Sequence, residues 1–262
     1  MTWLTNKRIV IIGGTTGIGL SAAQAFVREG ARVVVVGRNP ESCAAAERQL
    51  AGGGLAMTGD AAEPGTAQRA IDLCLQLFDG IDGLYHVAGG SGRKFGDGPL
   101  HELTLEGWNE TFSMNLTSLM LANQAAIRTF HEQGSGGTIL NMSSVLGYSP
   151  SPRHFVTHAY AAAKSAVFGF TKSIAAYYAA DNIRINVIAP ALVETPMAQR
   201  AAGDEEIMAF IRTKQPLDGG RIGAPDDLDG AAVYFMSDYS RYATGQVLTV
   251  DGGWSVSEGQ YE

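Results

Sequence analysis

The sequence predicts a single-domain α/β fold, a doubly wound parallel sheet of about seven strands with helices on both faces. Three observations carry this prediction. Short β-branched runs alternate with alanine-rich stretches of helical length, which is the pattern of βαβ units. Runs such as Val33-Val34-Val35-Val36 are continuously apolar, as strands covered on both faces should be. The chain has 262 residues, 45% hydrophobic and 17% charged, enough to build one sizeable core. The default is therefore one domain over 1–262, with no repeat or low-complexity linker to divide it.

In chain order, a strand at Arg8–Ile12 leads into a glycine-rich turn and a helix over Gly17–Glu29. A strand at Arg32–Val36 and a helix at Glu41–Leu50 follow, then a weaker strand at Leu55–Thr58 and a helix at Ala67–Phe78. The next strand, Leu84–Val87, opens a glycine-rich loop over Gly89–Gly98, after which one long helix is expected over Leu105–Glu132. Thr138–Met142 is a strand and Gly147–Pro152 a loop, ahead of a helix at Ala159–Ala180 and a strand at Ile183–Ile188. Ala191–Pro216 is the least regular segment, either a substrate loop or lid or an ordinary surface excursion. A helix at Asp226–Met236 and a strand at Gln246–Val250 complete the pattern, and several helices stop at glycine.

Composition excludes several function classes. With 19 basic against 26 acidic residues the net charge is −7, which leaves no electrostatic footprint for nucleic acid or an anionic membrane. Cys43 and Cys74 form neither a disulfide framework nor a metal-ligand spacing, so no metal is expected. The four apolar residues Ile9 to Ile12 are too few for a signal-peptide core, and no run is long enough to span a bilayer. The expectation is a soluble cytoplasmic protein with small-molecule partners. The 33 glycines point to tight turns and close backbone approaches.

Three clusters carry chemistry. The first strand runs straight into Gly13-Gly14-Thr15-Thr16-Gly17-Ile18-Gly19, where a helix begins. Glycines at such a turn let the backbone approach a pyrophosphate, and the helix start attracts its charge. The alternative is a tight turn with no ligand. At the end of the second strand, where a carboxylate often binds the adenosine ribose, stand Gly37 and Arg38. Absence of an acid and a planar cation favour NADP(H) over NAD(H), a solvent-facing arginine being the alternative. In the third cluster, Tyr160 and Lys164 lie at i and i+4 on one helix face, with Ser143-Ser144 ending a strand before them and Asn115 on the preceding helix. A phenol at its reference pKa of about 10 needs roughly 4 kcal/mol of phenolate stabilisation to reach about 7. A neighbouring ammonium and an oxidised nicotinamide can supply it, making Tyr160 a general acid/base and Ser144 the holder of the substrate oxygen. The plain alternative is an exposed amphipathic helix.

On these residues the sequence resembles the short-chain dehydrogenase/reductase (SDR) family over almost its whole length. The match runs from Gly13-x3-Gly17-x-Gly19 through Asp60, Ala88-Gly89, Asn115, Ser144 and Tyr160-x3-Lys164. It continues with Pro190 to Thr195 and the late Thr244-Gly245 to Asp251-Gly252-Gly253. The resemblance implies a seven-stranded Rossmann sheet, a homotetramer or homodimer, and a catalytic tetrad of Asn115, Ser144, Tyr160 and Lys164. It further implies that Lys164 binds the nicotinamide ribose and that Asn115 organises a relay water. Asp60 with Ala61 would lie at the adenine, Ala88-Gly89 along the cofactor, and Pro190, Val193 and Thr195 at the nicotinamide carboxamide. On residue type alone, Asp60 serves equally well as a turn cap. Helix packing between subunits suits the small face Ala161, Ala162, Ser165, Ala166 and Gly169, and so does core packing within one.

Three departures stand out. His86-Val87-Ala88-Gly89 replaces the common Asn-Asn-Ala-Gly, Pro190-Ala191 replaces Pro-Gly, and the segment from Ser144 to Tyr160 is longer than usual. That segment holds Arg153, His154 and His158, while Arg93 and Lys94 follow Gly89, so basic loops are expected to border the site. Arg93, Lys94, Arg153 and His154 are the candidate substrate residues, for a polar or anionic carbonyl or alcohol. Phe95, Tyr148, Phe155 and Met197 would equally make an apolar pocket. The leading functional reading is an NADP(H)-dependent alcohol dehydrogenase or ketone reductase. The same chemistry with NAD(H) is second, and a non-catalytic NADP(H) sensor is the alternative of another class.

Overall fold

The computed structural model describes residues 2–259. Seven strands form one parallel sheet: β1 (Arg8–Ile12), β2 (Arg32–Gly37), β3 (Gly54–Thr58), β4 (Gly83–His86), β5 (Gly137–Met142), β6 (Ile183–Pro190) and β7 (Val247–Val250). Their order is β3-β2-β1-β4-β5-β6-β7, with β1 pairing both β2 and β4. The order reverses between β1 and β4, which opens a crevice at the carboxyl ends of those strands where ligands of such folds bind.

Alternation along each strand sorts its side chains to two layers. Ile9 and Ile11 of β1 and Val33 and Val35 of β2 pack with α1 (Gly17–Arg28). Val10, Ile12, Val34 and Val36 face the other way, toward α3 (Thr66–Phe78). On the α1 face, through Ala46, packs α2 (Pro40–Gln49), capped by Asn39, whose Oδ1 accepts from the Ser42 amide at 2.9 Å.

The helix expected over Leu105–Glu132 is three pieces: α4 (Leu105–Phe112), a π-helical turn (Ser113–Thr117) and α5 (Ser118–Gln133). Side chains compete with the regular ladder here. Asn115 Nδ2 donates to the Thr111 carbonyl at 2.8 Å and Ser118 Oγ to that of Met114 at 2.7 Å. After α6 (His158–Tyr178), the segment expected to be irregular over Ala191–Pro216 contains a 3-10 turn (Pro196–Ala198), α7 (Gln199–Ala202) and α8 (Glu205–Lys214). Ala201, Ile207 and Ile211 anchor it against Val145 and Trp254 in a small satellite core. The helix expected from Asp226 begins as a 3-10 turn over Pro225–Leu228 and becomes α9 only at Asp229–Met236, because the Asp227 carboxylate takes the Ala224 amide at 2.7 Å.

On α6 the small-residue face is not core: Ser165 and Gly169 are exposed, and a Cβ at Gly169 would meet nothing within 4 Å. Among the described residues no helix is long and apolar enough to cross a membrane, and no group of His, Cys, Asp and Glu is placed to hold a metal.

Candidate active site

A cavity of about 690 Å³ runs along the carboxyl edge of the sheet, across the switch point. One end is lined by Arg38, Asp60 and Ala61, the middle by Gly13, Thr15, Thr16, Gly17, Ile18, Gly37, Ala88 and Gly89. At the other end stand Ser144, Tyr160, Lys164, Pro190, Val193 and Thr195. Two predicted residues lie behind the wall instead. Gly19 is buried, and a Cβ there would sit 2.1 Å from the Gly13 carbonyl, so it lets the helix close onto the turn. Asn115 is also buried.

The glycine turn is dictated by contact as well as by dihedral. Gly13 has φ +88° and a Cβ there would lie 2.6 Å from the Ala88 amide nitrogen, so no other residue fits. Gly37 has a second role that the sequence did not reveal. A Cβ at that position would meet Thr15 Oγ1 at 2.1 Å, so the missing acid is also a packing requirement. Asp60 Oδ1 accepts from the Ala62 amide at 2.9 Å, so Asp60 is a turn cap and a wall residue at once. Among the described residues, exposed Arg38 is the one cation lining its end of the cavity.

At the opposite end, β5 delivers Ser143 and Ser144 and α6 delivers Tyr160 and Lys164. Ser143 Oγ donates to the Lys164 carbonyl at 2.7 Å, tying strand to helix. The Lys164 ammonium donates to the Met142 carbonyl at 3.0 Å and lies 5.6 Å from the centroid of the Tyr160 ring. Asn115 clips the loop after β4 in place: Nδ2 donates to the Gly90 carbonyl at 2.9 Å and Oδ1 accepts from the Gly90 amide at 3.1 Å. A Cβ at Gly89 would come within 2.6 Å of that Oδ1.

Protonation follows burial. Desolvation pushes the Tyr160 phenol up to about 12, although hydrogen bonding with Ser144 works the other way. Burial pulls Lys164 down to about 8. The expected phenol near 7 is therefore not a property of the protein alone, since burial outweighs the help of Ser144. His86, in the departure from Asn-Asn-Ala-Gly, is wholly buried with no hydrogen-bond partner for either ring nitrogen among the described residues, and is pulled down to about 3 by burial and by the nearby Lys164 charge.

The substrate candidates divide. Arg93 and Lys94 line the cavity, whereas Arg153 and His154 do not. Arg153 is exposed and pairs with Glu206 on α8 at 2.6 Å, and His154 packs its ring against Phe210 at 4.7 Å between centroids. Of the apolar candidates, Phe155 and Met197 line the cavity and Phe95 and Tyr148 do not, while Arg200 from α7, Leu146 and Trp254 join them from positions that no local motif marks. Asp97 was missed as well. Its buried carboxylate accepts from the Ala159 amide at 3.0 Å and the Tyr160 amide at 2.9 Å, holding the first turn of α6.

The family model described as enoyl-(acyl carrier protein) reductase matches residues 13–255. The chain belongs to the short-chain dehydrogenase/reductase family. An NADP-dependent (R)-specific alcohol dehydrogenase of Lentilactobacillus kefiri is 33% identical, over 97% of this chain and 98% of its own. A 2-(S)-hydroxypropyl-CoM dehydrogenase of Xanthobacter autotrophicus is also 33% identical, over 97% of this chain and 98% of its own. Among solved structures, a short-chain type dehydrogenase/reductase from Mycobacterium ulcerans superposes with TM-score 0.89 at 29% identity, covering 98% of this chain and 92% of that one. This SDR protein is accordingly an NAD(P)-dependent oxidoreductase acting on alcohol and carbonyl groups.

The residues present fit a dinucleotide. Gly13 and Gly17 leave bare backbone along the middle of an elongated cavity at the amino end of α1, and Gly19 behind them lets the helix close onto the turn. A pyrophosphate fits there between Arg38 and Asp60 on one side and Tyr160 and Lys164 on the other.

Proposed function

We propose that this SDR enzyme transfers a hydride between NADP(H) and a carbonyl or secondary alcohol, with Tyr160 as general acid/base. The observation that carries the reading is the convergence of Tyr160, Ser144 and Lys164 at one end of a cavity whose middle is the glycine turn. When bound, the nicotinamide supplies the hydride and, oxidised, a positive charge.

In the direction of reduction the Tyr160 phenol, protonated as burial dictates, donates its proton to the carbonyl oxygen. Ser144 donates a hydrogen bond to that oxygen as negative charge develops on it. Lys164, held by the Met142 carbonyl, keeps its ammonium near the phenol ring, so the charge left on Tyr160 forms beside a cation. In oxidation Tyr160 takes the alcohol proton, and the phenolate this requires depends on positive charge beyond what the protein supplies.

NADP(H) is favoured over NAD(H) because Arg38 lines the adenosine end while Gly37 presents no carboxylate to a 2′-phosphate. A sensor that binds NADP(H) without turnover would need the glycine turn but not the assembled Ser144, Tyr160 and Lys164. Tyr160→Phe decides between enzyme and sensor. A roughly 10²–10⁴-fold fall in kcat with cofactor affinity retained supports the proposal, and an unchanged rate removes it.

A further inference from the structure

Beside Tyr160 the cavity has two unlike surfaces. Leu146, Phe155, Leu192 and Trp254 make its wall apolar, Phe155 meeting Trp254 at 5.8 Å between ring centroids. Its rim is cationic: Arg93 and Lys94 come from the loop after β4, and Arg200 from α7 in the 191–216 segment. This is unusual placement in a chain of net charge −7.

The carboxylates nearby are already committed. Both oxygens of Asp97 accept amides of α6, and Glu206 pairs with Arg153 outside the cavity. Among the described residues, neither Arg93 nor Arg200, both exposed at the rim, has a carboxylate within ion-pair distance, whereas Arg153 outside the cavity does. Arg200 makes one long bond, from Nη2 to the His154 carbonyl at 3.5 Å. The two guanidiniums are close enough to act on one another: desolvation first and the charge of Arg200 second hold Arg93 below its ordinary value, against the opposing pull of the Asp97 carboxylate. Like charges brought to one rim, with no carboxylate paired to either, are stabilised by an anion between them.

We infer that Arg93 and Arg200 form an anion subsite, so that the substrate is a carbonyl or alcohol bearing an acidic terminus, carboxylate or sulfonate, at the far end of an apolar body. This rests on the assignment of Tyr160 and Ser144 to the reacting oxygen. The body lies against Phe155 and Trp254, and the acid reaches the guanidiniums, whose planar forks match its two oxygens. Because Arg200 belongs to the 191–216 segment, substrate and segment hold each other in place.

The test compares 4-acetylbenzoate with its methyl ester, equal in body and different in charge, as ketones reduced with NADPH. The ratio of kcat/KM for acid over ester is measured in wild type, Arg93→Gln, Arg200→Gln and Arg153→Gln. At a partly exposed rim each of the first two variants lowers the ratio about tenfold, through the KM of the acid. Arg153→Gln leaves it unchanged. An unaltered ratio in both cavity variants overturns the subsite, as does a parallel rise in the KM for NADPH, which would put the guanidiniums on cofactor phosphates. If wild type reduces neither ketone, these compounds are not turned over by it, and the proposed function keeps its own test in Tyr160→Phe. The subsite is then read by tryptophan fluorescence as acid and ester are titrated: weaker acid binding in the variants upholds it, and equal affinity overturns it.

Discussion

Removing the Asp97 carboxylate tests how the catalytic tyrosine is positioned. Thr157 precedes α6 but makes no side-chain capping bond, so the Ala159 and Tyr160 amides depend on Asp97, across 62 and 63 residues of sequence. Asp97 is only 4% exposed, so water does not readily replace it. A hydrogen bond to a charged group contributes about 1.5–3 kcal/mol, and an ordinary N-cap about 1 kcal/mol. Two such bonds at a buried helix start place the cost of Asp97→Ala at about 3–4 kcal/mol, and Asp97→Asn, which keeps one acceptor, at about half. For a chain of this size that lowers Tm by about 10 °C. Urea unfolding at pH 7 gives the free energy, and steady-state kinetics the consequence: kcat falls in the order wild type, Asn, Ala, with the KM for cofactor little changed. A free-energy change for Asp97→Ala below about 0.5 kcal/mol, or an unaltered kcat, would refute the reasoning.

Three further outcomes follow from the site. Lys164 titrates near 8 in the native protein against 10.5 unfolded, so between pH 8 and 10 the unfolded chain binds more protons and native stability rises with pH. Lys164→Met is therefore inactive yet more stable at pH 7, by up to about 3 kcal/mol, with the advantage shrinking from pH 8 to 10; parallel stability–pH curves would contradict this. His86 is neutral down to about 3 against 6.5 unfolded, so it draws stability down as pH falls through that window, at about 1.4 kcal/mol per unit. His86→Asn flattens this acid-side slope in urea titrations relative to wild type, and an identical slope argues against a buried neutral imidazole. Arg38→Ala lowers the preference for NADP(H) over NAD(H), measured as a ratio of kcat/KM, by about tenfold, and no change would remove Arg38 from the 2′-phosphate. A Gly37→Asp exchange is a poor substitute for this test, because the new side chain would collide with Thr15.

What could be read from the residues was what local spacing encodes. Val33 to Val36 already marks a doubly covered strand, and Gly13 to Gly19 a strand-to-helix turn that bare backbone lines. Tyr160 and Lys164 share a face because four residues are about one helical turn. Short-range geometry of this kind survives whatever the rest of the chain does. The clip of Asn115 on Gly90 was invisible by the same logic, because it joins segments 25 residues apart.

The sequence by itself thus determined the doubly wound sheet, the bare-backbone turn and the identity of the Tyr–Lys pair. Only the tertiary structure decided which cations meet the substrate. Arg93 and Arg153 are alike as residues in glycine- or proline-flanked loops, yet one lines the cavity and the other pairs with Glu206. Arg200 and Asp97 reach the site from segments that carry no motif. A side chain's partner across such separations is set by the path of the whole chain through the crevice. Burial likewise, rather than residue type, puts Tyr160 near 12 and Lys164 near 8.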